Sequence, residues 1–274
     1  MARGIKDWSN VALNQVPHSQ NRIHSDEVAK AYGFTGALVP GVTVSAYLMH
    51  PAVEAWGLDW LTRGHAHVEV RTPLYDHAPF DVKTTAQNGS YTAELHSGGD
   101  LCAVATVTLP SEPPPAPEYQ GLALLDDTYE RPAASADNML ALKASGCRAK
   151  RFRWSAEHEM ARYVRDQSAM PALLRTDGQD GSGGYANPGM LLGCGNRHFG
   201  SVAAMSPWVH LETRSQNFCP VPLGTHLISE MTILDLFTKK GHEFADCQFN
   251  LFRDHDKACV MTIWQRAIYK MRGT

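Results

Sequence analysis

An asparagine and a histidine three residues apart, Asn21 and His24, precede a short acidic, alanine-containing stretch; beyond it lie Pro40-Gly41 and an apolar run that begins at Val42. A neutral imidazole near pH 7 is a natural carrier for a proton. A glycine at the start of a helix leaves peptide N–H groups unpaired and lets a ligand approach them, so an oxygen gaining negative charge could be held there. Together these residue types suit proton transfer beside a carbonyl that can enolise. Ser19 precedes the pair and Arg22 lies within it, while Pro40, Val42 and Ser45 stand where a substrate would pass the helix start. Arg22 could clamp a carboxylate or phosphate, or simply be solvated in a loop. The bland reading is a structural His24 bonded to a loop carbonyl, Asn21 in a turn and Gly41 as a tight turn into a helix.

Two kinds of element must position these groups. A helix-compatible run over 41–56 is followed by strand-like runs at 67–73, 80–87, 91–96 and 101–109. Asn88-Gly89 and Gly98-Gly99-Asp100 suggest tight hairpins between them. The stretch 109–117 holds five prolines and reads as an extended linker. Beyond it, the pattern predicts a helix over 157–166, a glycine-rich loop at 177–184, an apolar run from Gly189, and strands at 208–217, 226–236, 243–253 and 258–270. The loop lacks the lysine and the strand-to-helix setting of a phosphate loop and reads as a lid or connector.

Helix then four strands therefore occurs twice, and a residue-level echo supports a true repeat. Residues 69–80 align without gaps on 212–223, placing Glu69 on Glu212 and Arg71 on Arg214. A Pro-Gly pair opens each apolar run, at Pro40-Gly41 and at Pro188-Gly189. Each half would carry an apolar helix that needs a sheet to cover it, and two such halves can pair as a fused pseudo-dimer. The expected division is 1–110, a connector over 111–147, and 148–274. The Glu69/Arg71 and Glu212/Arg214 pairs read as sheet-surface charges.

Composition excludes other classes. The 274 residues are 43% hydrophobic and 19% charged, enough for a large core without disulfides or metals. A net charge of -3 with no basic block argues against nucleic acid or an anionic membrane as partner. No apolar run reaches the roughly 20 residues needed to span a bilayer, and the N-terminus lacks a signal core, so the expected compartment is the cytoplasm. Six scattered cysteines form no Cys-x-x-Cys pair, and His65 and His67 alone make a weak metal case, so no metal is expected.

The stretch 21–41, with Asn21, His24, the alanine-bearing acidic segment, the glycine loop at Gly33 and Gly36, and Gly41, resembles the MaoC-like hydratase/dehydratase family. The motif likeness covers about 21–48, and the likeness of architecture covers most of the chain. The resemblance implies an α+β, tandem (double) hotdog, each half a long central helix wrapped by an antiparallel sheet. It implies that His24 moves a proton at an acyl thioester, that Asn21 belongs to the catalytic set, and that the Gly41 N–H polarises the thioester carbonyl. It also implies a lyase, with coenzyme A present only as part of the substrate and no other cofactor, and a homodimer of the fused unit as a candidate assembly. The sequence departs from the family at Ser19, where an aspartate is usual, at Arg22, where proline is usual, and at Pro40, where histidine is usual. Serine cannot act as a carboxylate base, and loss of a general base typically forfeits on the order of 10²–10⁴ in rate. Aligning the second half through Pro171 puts Ser168 and Leu173 where the acid and histidine would stand, which leaves one candidate site. A hotdog thioesterase and a non-catalytic acyl-binding protein are the alternatives.

Overall fold

The computed structural model describes residues 4–177, 183–205 and 207–273. Its first strand, β1 (Trp8–Val11), precedes a helical turn at Arg22–His24 and a short helix, α1 (Asp26–Ala31). The long helix α2 (Gly41–Arg63) follows, then β2 (His65–Val70), β3 (Pro79–Gln87), β4 (Ser90–Ser97) and β5 (Asp100–Thr108). After the proline-rich stretch come α3 (Ala136–Ser145), β6 (Lys150–Arg153), α4 (Pro188–Val202), β7 (Val209–Asn217), β8 (His226–Lys239), β9 (His242–Arg253) and β10 (Cys259–Lys270).

Period-two alternation builds the strands. In β4, Tyr91, Ala93 and Leu95 are buried while Thr92 and Glu94 face water, and Phe80 and Val82 do the same in β3. Turn residues fix the hairpins: Gly89, Gly98 and Gly99 all take positive φ, as do Lys240 and Gly241 between β8 and β9. α2 shows no apolar stripe, because over Val42–Val53 it is enclosed by β2, β4 and β5 of its own half, by β7 of the other, and by α4. Its regular geometry breaks at Gly57 (φ 56, ψ -131), one residue past the expected helix end, and a second helical segment runs on to Arg63.

The ten strands form one antiparallel sheet in the order β1-β3-β4-β5-β2-β7-β10-β9-β8-β6. Read outward from the centre, β2 answers β7, β5 answers β10, β4 answers β9, β3 answers β8 and β1 answers β6. The central pair is in register with Glu69 opposite Glu212. These are the residues that the internal alignment equated, so the pseudo-twofold passes between them. Arg71 and Arg214 pair with these glutamates at 2.8 and 3.2 Å, as sheet-surface charges do.

Four elements differ from expectation. No helix forms over 157–166; the chain there runs in turns, with short helical turns at Gln167–Ala169 and Ala172–Leu174. The backbone groups that a helix would pair internally are taken by side chains, two of them from outside the segment. Asn187 Nδ2 donates to the carbonyls of Met160 (2.8 Å) and Ala161 (3.1 Å), Gln15 Nε2 to that of Arg162, and His158 Nδ1 accepts from Met160 N–H. α3 was not anticipated; Ser135 caps it by accepting from Asn138 N–H. Nor were the edge strands β1 and β6. Of the glycine-rich loop, 178–182 lie outside the described residues. Among the described residues, no helix is long and apolar enough to cross a membrane.

Candidate functional site

The motif loop comes to rest where the two halves meet. Asn21 Nδ2 donates to Trp208 O (2.9 Å), and its Oδ1 accepts from Trp208 N–H (3.1 Å), so one amide side chain grips the backbone just before β7 from both sides. That grip holds the first half's loop against the second half. Behind it, Asn14 Nδ2 donates to the His24 carbonyl (2.8 Å), and Asp26 Oδ1 accepts from Ala37 N–H (2.7 Å), which closes the loop between α1 and α2.

The His24 tautomer follows from its partner. Nδ1 lies 2.8 Å from Leu38 O. A carbonyl can only accept, so Nδ1 carries the hydrogen and Nε2 bears the lone pair. Burial pushes the pKa of His24 down, the Leu38 carbonyl opposing this in part, so the ring is neutral near pH 7. The structural hydrogen bond and a role as a base are therefore compatible: the carbonyl fixes the ring and leaves the other nitrogen for chemistry.

His24 lines two cavities. One, of about 360 Å³, is bounded by Ser19, Asn21, Pro40 and Val42 from the first half and by Lys150, Glu159, Asn196, Arg197 and Trp208 from the second. The other, of about 190 Å³, lies against Gly41, Asn196 and His210. The α2 N-terminus has no side-chain cap; Thr43 and Val44 N–H bond to Pro40 O, and the first-turn amides of Gly41 and Val42 have no residue four back to pair with inside the helix. Imidazole and helix mouth thus border the same space.

His210 was not anticipated. A Cβ built on Gly41 would lie 2.9 Å from His210 Cδ2, so glycine is required there for the imidazole to pack against α2. His210 Nδ1 is 3.1 Å from Asn196 Oδ1, and Nε2 contacts the Thr213 hydroxyl. Burial, with His24 nearby, lowers its pKa to about 4. With both nitrogens engaged, it is a neutral wall.

The remaining expected residues are spread more widely. Ser19 lines the larger cavity, but its hydroxyl donates to Asn21 O (2.9 Å) and so shapes the loop. Pro40 and Val42 line the same cavity. Arg22 is exposed and borders an outer, open cavity of about 750 Å³ with His18, Gln20 and Arg131, away from His24. Ser45 is fully buried and donates to Gly41 O (2.9 Å); it lines neither cavity at His24. Of the expected set, the structure brings together His24, Asn21, Ser19, Pro40, Val42 and Gly41.

The second half supplies what sequence reasoning missed: Asn196 and Arg197 on α4, Lys150 on β6, and Glu159. The available signal was Asn196-Arg197-His198 interrupting an otherwise apolar run. His198 is structural, with Nδ1 2.9 Å from Ser229 Oγ and Nε2 2.7 Å from Arg148 O.

No family profile matches the chain, and no curated protein matches it. Solved structures do. A conserved hypothetical protein of Mycobacterium tuberculosis with a double hotdog fold superposes with a TM-score of 0.60 at 12% identity, covering 97% of this chain and 96% of that one. The chain is a double hotdog. A MaoC domain protein dehydratase of Chloroflexus aurantiacus gives 0.57 at 13% identity, over 97% and 95%. The dehydratase domain of PpsC from M. tuberculosis, in complex with C12:1-CoA, gives 0.52 at 12%, over 97% and 93%. Thioesterases are among the other matches. At these identities the shared property is the double hotdog itself.

Proposed function

We propose that this double hotdog is a lyase that hydrates or dehydrates an acyl thioester at one site, with His24 as the proton carrier. The observation that carries the reading is the Nε2 of a neutral, fixed imidazole, unpaired among the described residues, beside an uncapped helix start. In the hydration direction, Nε2 takes a proton from water as the hydroxyl bonds to the β-carbon. The electron pair of the double bond moves towards the thioester oxygen, whose charge the Gly41 and Val42 N–H groups meet. The imidazolium then returns its proton to the α-carbon, which balances the step. The Leu38 carbonyl stands where a carboxylate would usually steady the imidazolium, which supports a slower base than an aspartate-assisted one. Glu159 is the carboxylate among the described residues lining the larger cavity, and its Oε1 is held 2.9 Å from Arg197 Nη1. Neighbours of both reaction types make hydrolysis the second reading; it would require a carboxylate over the thioester, and the grip of Arg197 on Glu159 argues against that.

Crotonyl-CoA, followed by absorbance of the conjugated thioester and by a free-thiol assay, tests the proposal. Loss of conjugation without thiol release is expected, and His24→Ala should lower that rate by about 10²–10⁴ while leaving circular dichroism unchanged. Thiol release from the wild type, or an undiminished rate in the variant, would overturn it.

A further inference from the structure

The larger cavity carries a charge imbalance that a plain hydrocarbon acyl chain leaves unanswered. Arg197 reaches it from α4 with Nη1 bonded to Glu159, and among the described residues its buried Nε and Nη2 have no partner stronger than the Cys194 thiol. The Cys194 thiol beside it is held protonated by burial, its pKa pushed up to about 11, so it brings no countercharge. Lys150 lines the same cavity from β6, half-buried, and no salt bridge or hydrogen bond involves its ammonium group among the described residues. Both cations flank the Phe152 ring, Lys150 Nζ and Arg197 Cζ each 5.8 Å from its centroid. Arg131 adds a third cation nearby, spent on neutral acceptors, Gln20 Oε1 (2.7 Å) and Gly200 O (2.9 Å). Burial, followed by the fields of Arg197 and Arg131, lowers the pKa of Lys150. Two cations of the lining, with Arg131 behind them, thus stand against one carboxylate, in a chain whose net charge is -3.

Leaving guanidinium N–H groups unpaired inside a protein is costly, and a bound anion relieves the cost with charge-assisted, fork-shaped bonds. The anion's place on the substrate follows from size. A space of about 360 Å³ holds on the order of a dozen water-sized groups, at roughly 30 Å³ each. A short acyl chain with a polar end fills this space, and its open side leaves the coenzyme outside. We infer that Arg197 and Lys150 form a carboxylate subsite and that the acyl group is a short dicarboxylic half-thioester whose free carboxylate lies against them. This rests on the thioester reading for its carrier, but its test needs no turnover.

The experiment compares binding of valeryl-CoA and glutaryl-CoA, equal in carbon number and different in the terminal carboxylate, by calorimetry on the full chain. The same pair is then measured on N-acetylcysteamine, which carries no phosphate. The wild type should prefer the glutaryl compound at least about tenfold on both carriers. Arg197→Met should abolish the preference while leaving valeryl binding within about threefold. Lys150→Met should reduce it in part, and Arg197→Lys should restore some of it. Should Arg197→Met fold poorly, Lys150→Met and Arg197→Lys still decide the matter. Equal wild-type affinity for the two acyl groups overturns the subsite, as does absence of binding by either. So does a loss in Arg197→Met that weakens both coenzyme A thioesters alike and spares the N-acetylcysteamine pair, since the cations would then hold carrier phosphates. A glutaryl preference that depends on Arg197, in a protein with no turnover of any enoyl thioester, sustains the subsite and sinks the proposed lyase. Turnover of crotonyl-CoA without a carboxylate preference does the reverse.

Discussion

Adding one methyl group at Gly41 tests whether the mouth of α2 is built around His210. An alanine Cβ there would lie 2.9, 3.1 and 3.2 Å from His210 Cδ2, Cγ and Cβ, so the ring or the helix must shift by several tenths of an ångström. The ring cannot turn away freely, because Asn196 holds Nδ1 and Thr213 holds Nε2. Overpacking of this kind costs typically 1–3 kcal/mol. Against it stands the helix preference of alanine over glycine, about 1 kcal/mol in a helix interior and less in the first turn. The Gly41 backbone needs no positive φ, so strain does not enter. The net expectation is a loss of about 1–2 kcal/mol, or roughly 2–4 °C in Tm per kcal/mol for a chain near this size. Chemical denaturation of the wild type, Gly41→Ala, His210→Ala and the double variant isolates the contact. Gly41→Ala should cost its 1–2 kcal/mol in full only when the His210 ring is present, and clearly less in the His210→Ala background, where the 3.2 Å contact with Cβ alone remains. Equal cost in both backgrounds, or a stabilised single variant, would refute the packing argument.

Other consequences are equally accessible. Buried His198 and His210 are pushed down to about 4 in the folded chain against an ordinary 6.5, so between those values the unfolded chain binds more protons and stability rises with pH. Their contribution should be present in full above pH 6.5 and lost as pH falls towards 4, each by up to about 3 kcal/mol, as read from urea midpoints at pH 7, 6 and 5; a flat profile would contradict it. For Asn21→Ala, the two bonds to Trp208 disappear and a loss of about 1–3 kcal/mol is expected by denaturation. Asn21→Asp should cost more, because an acceptor would then face the Trp208 carbonyl, and a benign aspartate would exclude the two-sided grip.

Much of this arrangement was legible in the chain, because it depends on local chemistry. Alternation marked eight of the ten strands, and the alignment of Glu69 with Glu212 located the pair through which the pseudo-twofold passes. Asn21, His24 and Gly41 could be chosen because their spacing lies within one loop and one helix start. What stayed hidden arises from contacts across more than a hundred residues. Lys150, Asn196, Arg197 and His210 reach the cavity only after β2 and β7 pair, and no periodicity in α4 announces that Asn196 and Arg197 turn inward. The helix expected over 157–166 failed for a related reason: Gln15, 147 residues away, and Asn187, 27 residues from Met160, claim its carbonyls.

The proposed single site in a twofold-related molecule requires that the two helix mouths differ, and they do. At α4, the Asn187 side chain accepts from Met190 N–H (3.0 Å), so a first-turn donor is already used. Its Gly189 is closed over by α2, with an added Cβ 3.3 Å from Ala46 Cβ and 3.5 Å from Val42 O. The matching loop offers Leu173 and Leu174, neither able to move a proton. At α2, Pro40 offers no cap, the donors border a cavity, and the loop offers His24. Each half therefore gives up what the other keeps. The second half spends its helix mouth on packing, which supports the first half's mouth from behind, and contributes α4 and β6 as the far wall of the space that His24 faces. Duplicating the His24 loop into the second half would require undoing the Asn187 cap and the contact between Gly189 and α2, and that would loosen the wall that the His24 cavity shares.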